Sequence, residues 1–397
     1  PHSQVVICMV FFLAMLVLPA CNDKPTDVLG PIVPGTDSVT VITSIDVDIL
    51  PTEAAAVQRR PIINNTYFLF GAATDAEARL FVEPTEFPAI GTSEQIDVVS
   101  SELEFIPQTY AYGDTASKDI VVRGYELTKA WSALITWDSV FTADGSSSHY
   151  DVGSQPIVDF TGTISTTDSI VRVPVSPSVV ERWLSDGQDT NLRKNIFGMA
   201  LLAPNGRTVR QYRNLSGTNQ VFRLRVVYKH RDSTTNDTIA VRSAVSSLVN
   251  TTAPAEQDLV IRGGHMRYTT FDVDLTSLPT NAVIVGATLS VTIDESKSQA
   301  GNLGYDEIVQ MRYEPDSTTS PYFTSTRITS DKRYVYAGAA PFMQQILRRG
   351  GKGQLQLRPT DVNELWRTNR ITLYNRQASP DVRPKLTIVY AIPLVMP

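Results

Sequence analysis

The chain has 397 residues, a net charge of −6 and a pI near 5.4. Its 35 Lys and Arg are scattered among 41 Asp and Glu, without the basic face that nucleic acids require, which argues against a DNA or RNA partner. The length exceeds what one ordinary core takes up and suits two domains.

The first element is an unbroken apolar run of 14 residues from Val5 to Leu18. It is too short to cross a bilayer as a stable helix and the right length for a signal-peptide core. It runs into Leu18-Pro19-Ala20-Cys21, which resembles the lipobox of bacterial lipoprotein precursors. That resemblance implies that residues 1–20 are a lipoprotein signal peptide and that Cys21 is lipidated, holding the chain to a membrane, with the outer membrane as the expected address. A signal peptide should open with Met and a basic residue, whereas this sequence opens Pro1-His2, so the precursor is expected to start further upstream. Cys8 lies within the segment to be removed, so the mature chain would keep one thiol and no intrachain disulfide. Residues 21–36 are polar and then broken by Gly30, Pro31, Pro34 and Gly35, as expected of a flexible, lipidated tether.

Beyond the tether the residue mix is that of a β protein. Val, Thr, Ser and Ile dominate, and 24 prolines and 22 glycines cut the chain into runs too short for long helices. Alternating stretches such as Ile170 to Val175 and Thr288 to Asp294 read as strands.

An internal repeat sets the expected architecture. One copy starts at Asp37-Ser-Val-Thr-Val and the other at Asp237-Thr-Ile-Ala-Val. Strands closing on glycine follow, Phe68-Leu-Phe-Gly71 and Val260-Ile-Arg-Gly263. In the second half of each copy a proline opens a short helix and a glycine follows ten residues later, Pro177 to Gly187 and Pro341 to Gly351. Each copy closes on an alternating strand, Phe222 to Tyr228 and Pro384 to Tyr390. The predicted fold is therefore all-β: two tandem jelly-roll-like β-sandwich domains, residues 37–230 and 237–393, each with one short helix, joined through the polar stretch Lys229 to Asn236.

Phe271-Asp-Val-Asp-Leu-Thr-Ser-Leu-Pro279, Ala287-Thr-Leu-Ser-Val291 and Arg383-Pro-Lys-Leu-Thr-Ile-Val-Tyr390 resemble the DNRLRE jelly-roll modules of secreted bacterial proteins. Tyr112-Gly-Asp-Thr115 and Val121-Val-Arg-Gly-Tyr-Glu-Leu127 resemble uncharacterised outer-membrane lipoproteins of Bacteroidota-type bacteria. These resemblances imply an all-β surface module that binds polysaccharide or serves as a spacer or adhesive part.

Residues able to carry chemistry are few. No Gly-x-Ser-x-Gly elbow, P-loop, dinucleotide fingerprint or zinc-ligand spacing occurs. Trp131 and Trp137 are six apart and would share one face of an unbroken strand, either as core or as a platform for sugar. Asp272 and Asp274 alternate along a predicted strand and offer two carboxylates on one side; they are expected to be solvated strand positions, with calcium as the sharper alternative, and no other cofactor is expected. The expected function is a non-catalytic structural or interaction lipoprotein with an envelope or surface protein as partner. A carbohydrate-binding module and a carboxylate-dependent glycoside hydrolase are the alternatives.

Overall fold

The computed structural model describes residues 39–57, 62, 66–90, 92, 95–132, 134–164, 169–213, 222–264, 266–315 and 322–393. Cys21, the expected signal peptide and the expected tether lie outside them. The chain is all-β, and among the described residues the strands form three antiparallel sheets of four, ten and seven strands. Among the described residues no helix is long and apolar enough to cross a membrane.

Two sheets enclose one core. The four-stranded sheet contributes Leu289, Leu386 and Ile388, and the seven-stranded sheet contributes Phe271, Val309 and Leu355, all of them buried. The alternation behind this is plain in Arg267–Asp274, where Phe271 and Val273 point inward and Asp272 and Asp274 outward. The ten-stranded sheet surrounds a second core built on Phe68, Phe70, Leu103, Phe105 and Tyr212.

Strand pairing crosses the expected domain boundary in both directions. Val39–Thr43, at the head of the first predicted copy, pairs with Lys385–Ala391, the last strand of the second. Glu53–Val57 pairs with Arg267–Asp274, and Ile49 and Leu50 between these two segments are buried in the same C-terminal core. Conversely Asp237–Thr251, the head of the second predicted copy, pairs with Phe222–His230 and with Ala76–Pro84 in the ten-stranded sheet. Each closing strand thus takes the opening strand of the other copy. The stretch Lys229 to Asn236, expected as an interdomain linker, is instead a hairpin connection within one sheet. Short turns and short linkers share the same Asp/Ser/Thr-rich chemistry, so composition does not tell them apart.

The two expected helices are present as Pro177–Asp186 and Ala340–Arg348. They bury Val180, Trp183 and Leu184 in one case and Phe342, Met343, Ile346 and Leu347 in the other, the i, i+3, i+4 stripe of a helix lying on a core. Gly351 (φ 83°) ends the second in the left-handed region, its N–H donating to the Ile346 carbonyl at 3.0 Å. Among the described residues three shorter helices, Trp137–Val140, Thr190–Arg193 and Asp361–Trp366, go beyond the one per copy expected.

Candidate functional site

Trp131 and Trp137 do not share a strand. Trp137 opens a helical turn in which the Ser139 hydroxyl accepts from the Thr136 N–H at 2.9 Å, so the period-two argument for a common face fails. Both rings instead join an aromatic cluster between the ten-stranded sheet and the segment that follows Leu127, an insertion between the strands Asp119–Glu126 and Val158–Thr163. Trp137 is only 5 % exposed, too little for a stacking platform, and lies 4.2 Å from Phe141 between centroids. Trp131 is half-buried, edge-on to Phe81, with its N–H donating to the Phe197 carbonyl at 3.3 Å.

Arg79 is the centre of this cluster. Its guanidinium stands over the rings of Trp137 (4.8 Å) and Phe141 (4.6 Å), pairs with Glu77, and donates to the Gly145 carbonyl (2.7 Å) and the Tyr150 hydroxyl (3.0 Å). The Ser/Gly loop around Gly145 is thereby pinned to the sheet. Burial lowers the pKa of the neighbouring His149 and Lys129 lowers it further, which favours neutral imidazole.

Asp272 and Asp274 do share a face, on the strand Arg267–Asp274, opposite Gln354 and Lys352. Protein donors already occupy them. Asp272 accepts from the Thr52 hydroxyl and from Gln354 Nε2 at 2.9 Å. Asp274 accepts from the Thr276 N–H at 2.9 Å and faces Lys352 Nζ at 3.4 Å. Among the described residues no group of three or more His, Cys, Asp or Glu converges as a metal centre. A calcium ion here would have to displace a lysine and supply most of its shell from carbonyls and water. Other carboxylates serve cross-strand pairing: Glu104, fully buried, is held between Arg172 and Arg223, and Glu102 pairs with Arg225 at 3.2 Å.

The densest polar construction is one that sequence reasoning did not find, where the ten-stranded sheet meets the C-terminal core. Asp75, in the turn after the strand Tyr67–Ala73, accepts from the Tyr112 hydroxyl (2.8 Å) and pairs with Arg262 Nη1 and Arg370 Nη1, each at 3.0 Å. Burial raises the Asp75 pKa, but Arg262, Tyr112 and Arg370 outweigh it and hold the carboxyl below its ordinary range. Arg262 also donates through Nε to the Thr368 carbonyl at 3.1 Å. Tyr110 links the same two regions, accepting from the Thr368 N–H (2.8 Å) and donating to Asn369 Oδ1 (3.0 Å). Asn302 binds the backbone of the strand Ile96–Gly113 as another strand would, accepting from Ala111 N–H at 2.8 Å and donating to the Thr109 carbonyl at 2.6 Å. The approach is close enough that a Cβ on Gly301 would sit 2.5 Å from the Ala111 carbonyl oxygen, so no larger residue fits. Apolar contacts complete the junction, with Tyr67 against Trp366 at 4.6 Å and Leu365 packed against the buried cluster that includes Leu69 and Val249.

Behind this junction sits Asp306, which accepts from Asn369 Nδ2 at 2.9 Å and lies 3.6 Å from Arg367; no described residue hydrogen-bonds its Oδ2. Burial pushes its pKa up to about 6, against the opposing pull of Arg367 and Asn369. The folded state therefore binds a proton at a pH where the unfolded chain has released it, and the stability that Asp306 contributes falls as pH rises from about 4 to about 6. Asp306→Asn is expected to remove that slope from the urea midpoint measured across this window; an unchanged slope would dismiss the assignment. Asp75, with its lowered pKa, contributes in the opposite sense and loses its contribution only at lower pH.

Comparison of the chain with protein-family models found no match, and comparison with curated proteins found none either.

Proposed function

We propose that the protein is a membrane-anchored, non-catalytic lipoprotein of the cell envelope, held by lipid on Cys21, whose two jelly-roll-like β-sandwiches present surfaces to another envelope or surface protein. The observation that carries this reading is the way the anchor end enters the fold. The strand that follows the tether, Val39–Thr43, is paired along all five residues with the last strand, Lys385–Ala391. The same core is tied to the ten-stranded sheet through Arg262, Tyr110 and Asn302. A load applied at Cys21 would pass directly into a hydrogen-bonded sheet and from there across a buried polar junction, which suits a scaffold fixed at one end. The charged groups described above also serve internal pairing, which supports a structural role for them.

Cys21→Ala is the direct test. The parent is expected in the membrane fraction with a mature N-terminus at Cys21 carrying acyl chains by mass spectrometry, and the variant in the soluble fraction, a near-complete transfer because one lipidated residue supplies the whole attachment. Retention of Cys21→Ala in the membrane, or an unmodified N-terminus upstream of Cys21, would overturn the reading.

A further inference from the structure

The turn between the strands Ile96–Gly113 and Asp119–Glu126 faces the turn between Met199–Leu202 and Thr208–Arg213, and the two enclose a cavity of about 230 Å³. That volume falls below the roughly 300 Å³ at which pockets for drug-sized ligands begin, and it suits a molecule the size of one sugar ring or one amino acid. Phe70 and Tyr212, both buried, contribute apolar floor; Ser117, Asp119 and Asn205 contribute polar wall.

The unusual member of this lining is Arg210. Its side chain belongs to a residue only 9 % exposed, yet none of the ion pairs formed among the described residues involves it. Nη2 donates to the Ser117 carbonyl, and Nε, shielded from solvent, has no hydrogen-bond partner among the described residues. Two other buried arginines of the ten-stranded sheet and its junction have found carboxylates: Arg79 has Glu77 and Arg262 has Asp75. A guanidinium withdrawn from water without a counter-charge is costly, so a buried arginine beside an open cavity is a site in want of an anion. Arg207 adds a second cation to the lining, and Asp119 is its single carboxylate, leaving the cavity with a net positive charge. Asp119, an acceptor only when ionised, would repel a second anionic group and attract hydroxyl or ammonium donors.

We propose that this cavity is a binding site for a small carboxylate flanked by hydrogen-bond donors, its carboxylate paired with Arg210 and its donors turned toward Asp119. A uronic acid from a polysaccharide and a zwitterionic amino acid both present this chemistry. The site involves neither the anchor nor the junction around Arg262, so its failure would leave the reading of Cys21 as it stands.

Isothermal calorimetry on the purified chain with sodium D-glucuronate, L-alanine, sodium acetate and D-glucose tests it. Saturable binding of glucuronate or of alanine is expected, with glucose silent and acetate weaker, and whichever of the first two binds identifies the source. Arg210→Gln is expected to weaken that binding about tenfold or more, by removal of a charge-assisted bond. Because Arg210 is buried and its replacement can disturb folding, Asp119→Trp supplies the second variant. Position 119 is exposed, and the added ring there would cover the cavity mouth and abolish binding while far-UV circular dichroism stays unchanged. Absence of saturable binding of both carboxylates to the parent would overturn the proposal. So would equal responses to glucuronate, alanine and glucose, or full affinity in folded Asp119→Trp.

Discussion

Arg262→Ala is expected to lower the free energy of unfolding by about 3–5 kcal/mol, the range found when one partner of a buried ion pair is removed. That is a large part of the roughly 5–15 kcal/mol that holds a domain together. The size follows from what is left behind. Arg262 is 1 % exposed and bridges Asp75 to Thr368, so its loss strands a buried carboxylate with Tyr112 and Arg370 alone and a backbone carbonyl without its donor. Urea unfolding followed by tryptophan fluorescence reads the loss, and a double-mutant cycle with Asp75→Ala separates the pairwise term from the cost of the orphaned charge, with coupling of about 1–3 kcal/mol expected. A loss below about 1 kcal/mol would show that the junction is solvated and does not tie the two regions together.

Arg79→Ala is the second large effect, and it is local. Removal of charge-assisted bonds to Glu77 and Gly145 and of two ring contacts is expected to cost about 2–3 kcal/mol. Amide exchange should report where: protection within residues 142–150 falls toward that of an open loop, while the strand Tyr67–Ala73 keeps its own. Arg79→Lys should restore little, because an ammonium cannot form the fork that reaches Glu77, Gly145 and Tyr150 together. Uniform loss of protection across the whole sheet would instead mean that Arg79 supports the core and not the insertion.

Period-two alternation made the β class legible, and the proline and glycine punctuation made both longer helices legible, because these signals are local. Partner choice between strands is not local. Asp37-Ser-Val-Thr-Val and Asp237-Thr-Ile-Ala-Val look like equivalent beginnings, and each is, yet nothing in either stretch says which closing strand it will join. Trp131 and Trp137 went astray for a simpler reason: six residues is an even spacing only along a strand, and Thr136 with Ser139 starts a helical turn between them. The junction left faint traces, a lone Arg262 ending the apolar run Leu259-Val-Ile and an Asp75 in a tight turn. Asn302 and Asn369 left none, since a loop asparagine that replaces a missing strand reads in sequence like any other loop asparagine.

The exchange of opening strands also sets an order of events. Asp237–Thr251 follows its hairpin partner directly, so the ten-stranded sheet has all of its described strands once residue 251 has emerged from the ribosome. The four-stranded sheet has to wait. Val39–Thr43 emerges early, but its partner among the described residues, Lys385–Ala391, lies at the far end of them, so that strand stays open until residue 391 has been made. During that interval Val39 and Val41 belong to an unpaired, uncharged strand edge, the kind of surface that associates with other chains. A truncation that removes residues 385–393 would therefore damage the end of the molecule nearest its N-terminus first, and a circular permutant joining that end to residue 393 would shorten the longest wait in the fold.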